Sequence, residues 1–210
     1  CLVYADMTGV STHGTYLLKP IYERAKAGML RLPTEAKLIS DSKATATIDG
    51  NNGLGPVAAT MAMETAMKKA GEFGMGMALA KNTNNVGCLG YYTGLVARAG
   101  MIGIMACNAN ASMAPWGGAQ AYFGTNPISI SVPTKKGHPI VLDMASSIVA
   151  RGKIRKASRE KGKIPEGWAL DKEGRPTTDP DEALEGTLLP IGGPKGSGLA
   201  MVVDLVAGML

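Results

Sequence analysis

Apolar positions near the start of the chain recur at helix spacing. Leu17, Leu18, Ile21, Tyr22 and Ala25 fall on one stripe, which predicts a helix over residues 16–30 with Gly28 as its stop. Pro20 suits the first turn of that helix, where its missing N–H is not needed. Residues 44–48 alternate like a short strand and run into Asp49-Gly50-Asn51-Asn52-Gly53, a turn signal. Residues 56–70 read as an Ala- and Met-rich helix whose last turn, with Lys68 and Lys69, suits the negative end of its dipole. Short apolar runs at 75–80, 101–107, 128–132 and 140–142 predict strands, and residues 91–98 predict a helix ended by Gly100. Residues 163–188 are polar and rich in Pro and Gly, which predicts a long irregular excursion of functional or subunit-wrapping character. Residues 199–210 predict a final apolar helix. Strands alternating with helices define an α/β class with a layered, mixed sheet.

Composition adds bounds. The chain has 210 residues, 45% hydrophobic and 19% charged, enough for one sizeable core and unlike a disordered segment. The longest apolar run, 199–210, is short and carries Asp204, so no membrane span is expected. The three cysteines, Cys1, Cys88 and Cys107, form neither a CxxC pair nor a metal-ligand spacing. No metal site is expected, and this cysteine usage fits a reducing cytoplasm. The net charge of +5 is uneven. Arg151, Lys153, Arg155, Lys156, Arg159, Lys161 and Lys163 crowd one segment relieved only by Glu160. No aromatic residue interleaves with them to stack bases, so a solvated helix face is expected and nucleic-acid binding is not.

The candidate chemistry is dispersed. His13, one of two histidines, sits in Ser11-Thr12-His13-Gly14 among small residues. It reads either as a proton carrier or as an imidazole satisfied beside a capping Ser-Thr pair. Gly192-Gly193-Pro194-Lys195-Gly196-Ser197-Gly198 leads into the last helix and suits a phosphate or carboxylate, or is a plain surface turn. Asp143 closes an apolar strand, where it holds a ligand or caps a helix starting at Met144. Asn82-Thr83-Asn84-Asn85-Val86-Gly87 and Gly124-Thr125-Asn126-Pro127 offer donors and acceptors for a carboxamide or carboxylate, and each is also an ordinary turn. Trp116 either stacks on a planar ring or packs into the core.

Taken in order, these segments resemble the malate/L-lactate dehydrogenase family of NAD(P)-dependent oxidoreductases, which lacks a Rossmann fold. The matching pieces include Ser11-Thr12-His13-Gly14, Ile48-Asp49-Gly50-Asn51, Gly124-Thr125-Asn126-Pro127, Leu142-Asp143-Met144-Ala145 and Pro194-Lys195-Gly196-Ser197-Gly198. The resemblance implies a non-Rossmann nicotinamide-binding fold, with a helical N-terminal part over 1–45 and an α/β cofactor domain over 46–210. It implies NAD or NADP as cofactor, a small 2-hydroxy/2-oxo acid as substrate, and a homodimer. His13 would be the proton carrier, and Asn85 and Thr125 would touch substrate. Pro139, Ile140, Val141, Leu142, Asp143, Met144 and Ala145, with Pro194 and Lys195, would touch the cofactor.

Two positions depart from the pattern. Many members have a histidine where Asn85 stands, and an arginine where Leu17 stands. Asn85 cannot change charge, and Leu17 cannot grip a carboxylate bidentately. These departures leave room for an alternative, a non-catalytic relative that binds the nucleotide. The resemblance also implies that family members extend beyond both ends of this sequence.

Overall fold

The computed structural model describes residues 1–209. The chain forms two compact units, Cys1–Ile104 with Ile130–Val141, and Met105–Ser129 with Leu142–Leu210. The expected boundary at residue 45 falls inside the first unit, at the start of a strand.

In the first unit, α1 (Leu2–Met7) is followed by single 3-10 turns at Ser11–His13 and Thr15–Leu17 and then by α2 (Leu18–Lys26). The helix expected over 16–30 is thus shorter, with the 3-10 turn at its front and Gly28, at φ +71°, behind it. An edge strand that the apolar pattern does not predict, β1 (Lys37–Ser42), pairs antiparallel with β2 (Thr45–Gly53), which pairs parallel with β3 (Met77–Thr83). All six β1 residues are exposed, so no alternation of polarity marks the strand. The turn expected at 49–53 is instead the end of β2. Asn51 and Asn52 take left-handed φ values of 49° and 55°, and the β2–β3 register shifts between Asp49 and Gly53. Asparagine tolerates that conformation, so a turn-like sequence serves as a bulge.

Helix α3 (Gly55–Phe73) packs on β2 and β3 through Ala58, Ala59 and Ala62, all buried. Small side chains let the helix lie close to the sheet. A Cβ built on Gly50 of β2 would stand 3.2 Å from that of Ala58. Lys69, buried, donates to the Asp41 carboxylate and to the Lys43 carbonyl, tying the β1–β2 turn to the far end of α3. Helix α4 (Leu89–Arg98) buries Tyr92, whose hydroxyl donates to the Val86 carbonyl.

Strands β4 (Gly103–Ala106), β5 (Ile128–Val132) and β6 (Ile140–Met144) make a second sheet in that order, with the unit boundary falling within each strand. Because β6 runs through Met144, the expectation that Asp143 caps a helix is corrected: the next helix, α5 (Arg151–Arg159), starts seven residues later.

The second unit builds its core from Met113, Phe123, Val149, Ile154, Ile164, Ala169, Ala183, Leu188 and Ala200. The expected excursion at 163–188 therefore supplies core rather than loop. It folds as β7 (Ala169–Leu170), β8 (Pro176–Thr177), α6 (Pro180–Glu185) and β9 (Thr187–Leu188), with a small antiparallel sheet ordered β8-β7-β9. Asp179 caps α6 by accepting from the N–H groups of Asp181 and Glu182 at 2.8 and 3.3 Å. The last helix, α7 (Pro194–Asp204), starts earlier than expected and widens into a π-helical turn at Leu205–Met209. Leu210, the end of the expected helix, lies outside the described residues.

Candidate active site

His13 closes a one-turn 3-10 segment, and its position is fixed by short-range bonds. Its N–H donates to the Val10 carbonyl at 2.9 Å, and the Gly14 N–H to that of Ser11 at 3.2 Å. The Thr12 hydroxyl lies 3.1 Å from Nδ1. When that hydroxyl donates, the ring proton resides on Nε2. The imidazole is half-buried, which is compatible with proton exchange and unlike a sealed core histidine. Gly14 is buried because the Asp6 carboxylate covers it, and any Cβ there would overlap that group. The carboxylate accepts from the Thr15 N–H at 2.9 Å and the Thr15 hydroxyl at 2.7 Å. These bonds, the backbone one foremost, hold the Asp6 carboxyl below the usual carboxylate range.

Asn85 is exposed in the turn after β3, and its Oδ1 accepts from the Gly87 N–H at 2.8 Å. Its neighbour Asn84 does the structural work. Asn84 Nδ2 donates to Asn52 and Gly53 carbonyls, each at 3.1 Å, and its Oδ1 accepts from Arg24 Nη2 at 2.8 Å. Helix α1 reaches both candidate turns. At one end the Cys1 thiol donates to the Val86 carbonyl at 3.5 Å, and Tyr4 packs edge-on to Tyr91 with centroids 5.6 Å apart. At the other end Asp6 holds Thr15. Six helical residues span about 9 Å, so the structure brings the turns of His13 and Asn85 onto one short helix. Pro139 and Val141 of this unit are half-buried, whereas Ile140 is 68% exposed.

The remaining candidates belong to the second unit, and Ser146, a residue without a distinguishing sequence motif, organises them. Ser146 is fully buried. Its N–H and its hydroxyl both donate to the Thr125 carbonyl, each at 2.8 Å, and its own carbonyl accepts from the Ile191 N–H at 2.8 Å. A Cβ on Gly196 would stand 2.8 Å from that same Ser146 oxygen. Thr125, the end of the 142–145 segment and the Gly192-Gly193 turn therefore meet at Ser146. Leu142 and Asp143 are exposed, Met144 and Ala145 half-buried.

Thr125 is next to a second residue whose role the sequence does not disclose, Asn126, fully buried with φ 31°. Asn126 Oδ1 accepts from the Ala109 N–H at 3.0 Å, and its Nδ2 donates to the Ala200 carbonyl at 2.8 Å. The amide expected to meet a ligand in this turn is spent on the fold. A buried polar side chain inside an amide-rich turn leaves no sequence signal separating the two uses.

The glycine turn before α7 bonds within itself. The N–H groups of Lys195, Gly196 and Ser197 donate to the carbonyls of Gly192, Ile191 and Gly193, at 3.4, 2.9 and 3.2 Å. The backbone thus closes on itself. What remains for an anion is the positive end of an eleven-residue helix and the exposed Lys195 side chain, with Pro194 fixing the first turn. Trp116, expected in the core or on a ring, is 61% exposed. Gly193 lies over it, since a Cβ there would come within 3.1 Å of the indole, and the Trp116 N–H donates to Ser197 Oγ at 3.0 Å. Among the described residues, no group of three or more His, Cys, Asp or Glu could hold a metal ion. None of their helices is long and apolar enough to cross a membrane.

The chain is thus mixed α/β, with a half-buried imidazole at position 13 and an exposed lysine in the first turn of α7. The chain matches the malate/L-lactate dehydrogenase family over residues 1–210 and belongs to it. It is 45% identical over 205 residues to the L-sulfolactate dehydrogenase of Methanocaldococcus jannaschii, covering 98% of this chain and 59% of that protein. It is 42% identical over 218 residues to the malate dehydrogenase of Pyrococcus horikoshii, covering 100% of this chain and 60% of that one. The solved structure of a dehydrogenase from Sinorhizobium meliloti superposes with a TM-score of 0.95 at 38% identity, covering 100% of this chain and 61% of that one. The chain spans about three fifths of the length of the relatives it matches.

Proposed function

We propose that this protein is an NAD(P)-dependent oxidoreductase acting on a small 2-hydroxy/2-oxo acid, built on a non-Rossmann nicotinamide-binding fold. The observation that carries this reading is the family likeness over the whole chain, together with a half-buried histidine held in a fixed turn. The nicotinamide, when bound, supplies or accepts the hydride. His13 gives the proton to the substrate's carbonyl oxygen or takes it from the hydroxyl, with Thr12 choosing which ring nitrogen carries it. Asn85, uncharged at every pH, contributes hydrogen bonds to substrate but no proton, and Thr125 is a further substrate contact. Lys195 and the N-terminus of α7 offset phosphate charge. Pro194 and the strand segment Pro139, Ile140, Val141, Leu142, Asp143, Met144 and Ala145 line the cofactor. The helical part over 1–45 carries the proton-transfer residue and the rest binds nucleotide. A homodimer in the cytoplasm completes the reading.

The test is a panel of 2-oxo acids with NADH and NADPH on the full-length protein, beside His13→Ala. Turnover should fall at least ~100-fold in the variant, with nucleotide affinity by fluorescence titration within about twofold. Nucleotide binding with no turnover of any acid by the unsubstituted protein would favour a non-catalytic relative, the reading that Asn85 and Leu17 motivate.

A further inference from the structure

We infer that Asp6 is a positioning residue for proton transfer, acting through the Thr15 clasp and α1 on the turns of His13 and Asn85; this rests on the proposed role of His13. Three observations meet at this carboxylate. Its Oδ2 accepts two bonds from one residue, the Thr15 N–H and the Thr15 hydroxyl. Its Oδ1 side occupies the space a Cβ of Gly14 would need, so glycine and aspartate are matched across the contact. Asp6 also stands on the helix whose preceding residue, Cys1, donates to the Val86 and Cys88 carbonyls and whose Tyr4 packs on Tyr91, in the segment after Asn85.

His13 is bracketed by this arrangement. On its N-terminal side its N–H is tied to Val10, whose own N–H donates to Ala5 of α1 at 2.8 Å. On its C-terminal side Gly14 and Thr15 are tied to Asp6. The histidine turn is therefore anchored to α1 at both ends, while α1 leans on the segment after Asn85. A ring that must meet a carbonyl oxygen to within a fraction of an ångström needs such a frame, because misplacement by about 1 Å costs on the order of 100-fold in rate. The clasp lies at the surface and Thr15 and Asp6 are exposed, so its purpose is directional rather than a large contribution to stability.

The experiment uses the full-length protein with Asp6→Ala, Asp6→Asn, Gly14→Ala and Thr15→Val. Asp6→Asn keeps an acceptor oxygen for both Thr15 donors; Gly14→Ala pushes the intact carboxylate away. Expected are losses of about 10–100-fold in kcat for Asp6→Ala and Gly14→Ala, with Asp6→Asn within about threefold of the parent and Thr15→Val between. NADH affinity should stay within about twofold throughout, since a positioning loss falls on kcat.

A second readout does not depend on turnover. His13 imidazole resonances are assigned by their loss from the spectrum of His13→Ala. Asp6→Ala should move them and speed Thr15 amide exchange at least tenfold, and Asp6→Asn should do neither. If no acid is turned over by the parent, the proposed function fails while this readout still decides the clasp. Unmoved His13 signals and unchanged Thr15 exchange in Asp6→Ala overturn the inference, as does Asp6→Asn behaving like Asp6→Ala. Should Asp6→Ala fail to fold, Thr15→Val takes its place: His13 signals shifted further in Thr15→Val than in Asp6→Asn support the clasp, and the reverse order overturns it.

Discussion

Asn126 shows how a residue can look like chemistry and be architecture. In sequence, Gly124-Thr125-Asn126-Pro127 offers an amide to a ligand; in the fold, that amide joins residue 109 to α7 with both of its polar ends. Replacing Asn126 with Ala removes the partner of the Ala109 N–H and of the carbonyl of buried Ala200, and should cost about 1–3 kcal/mol in a urea melt. A cost under about 1 kcal/mol would mean water takes over the amide's bonds. The same logic separates Asn84 from Asn85: the first is saturated by Asn52, Gly53 and Arg24, and the second lies open to solvent. Local sequence cannot tell these apart, since burial is decided by segments distant along the chain. His13, by contrast, stood out through rarity and small neighbours. Asp6 did not, because its partner lies nine residues on, across two turns.

Elements with a strong apolar period were legible, namely α3, α4 and β5, the last matching its expected ends. Those whose order comes from side-chain-to-backbone bonds were not. The 163–188 stretch looks irregular because Asp171 nucleates it instead of a hydrophobic stripe. Asp171 Oδ1 accepts from the N–H groups of Glu173 and Arg175 at 3.0 and 2.8 Å, and Oδ2 from Arg175 Nε at 2.9 Å. The Arg175 backbone bond leads in holding this carboxyl below the usual range, with its guanidinium adding to it. A depressed pKa stabilises the fold above the ordinary aspartate range near ~4, and that contribution is lost as pH falls through the lower folded-state value. Asp171→Asn should therefore lower the melting temperature at pH 7, and the gap to the parent should shrink as pH falls below the ordinary aspartate range. A gap constant across pH would assign the effect to lost hydrogen bonds, not to charge.

At the scale of the whole chain, charge is the quantity the sequence states outright and the fold then locates. Residues 151–163 hold seven basic side chains and one acidic, a net +6, against +5 for the entire chain, so the remainder sums to −1. On α5, Ile154 is buried, and Arg151 donates to the Leu184 carbonyl at 2.6 Å. Lys153, Arg155, Lys156 and Arg159 carry the solvated face expected. Ile154 and Ala200 belong to one buried cluster, so α5 and the Lys195-bearing α7 border the same core. A charged face acts over about a Debye length, about 10 Å at ~0.1 M salt, so the basic face of α5 can raise the local concentration of a small anion near it. Neutralising Lys153, Arg155 and Lys156 to Gln should flatten the fall of kcat/KM with ionic strength, leaving kcat at saturation unchanged. Stability should stay within about 0.5 kcal/mol, as surface changes do. An unaltered ionic-strength slope would show that the basic face of α5 takes no part in drawing an anion in.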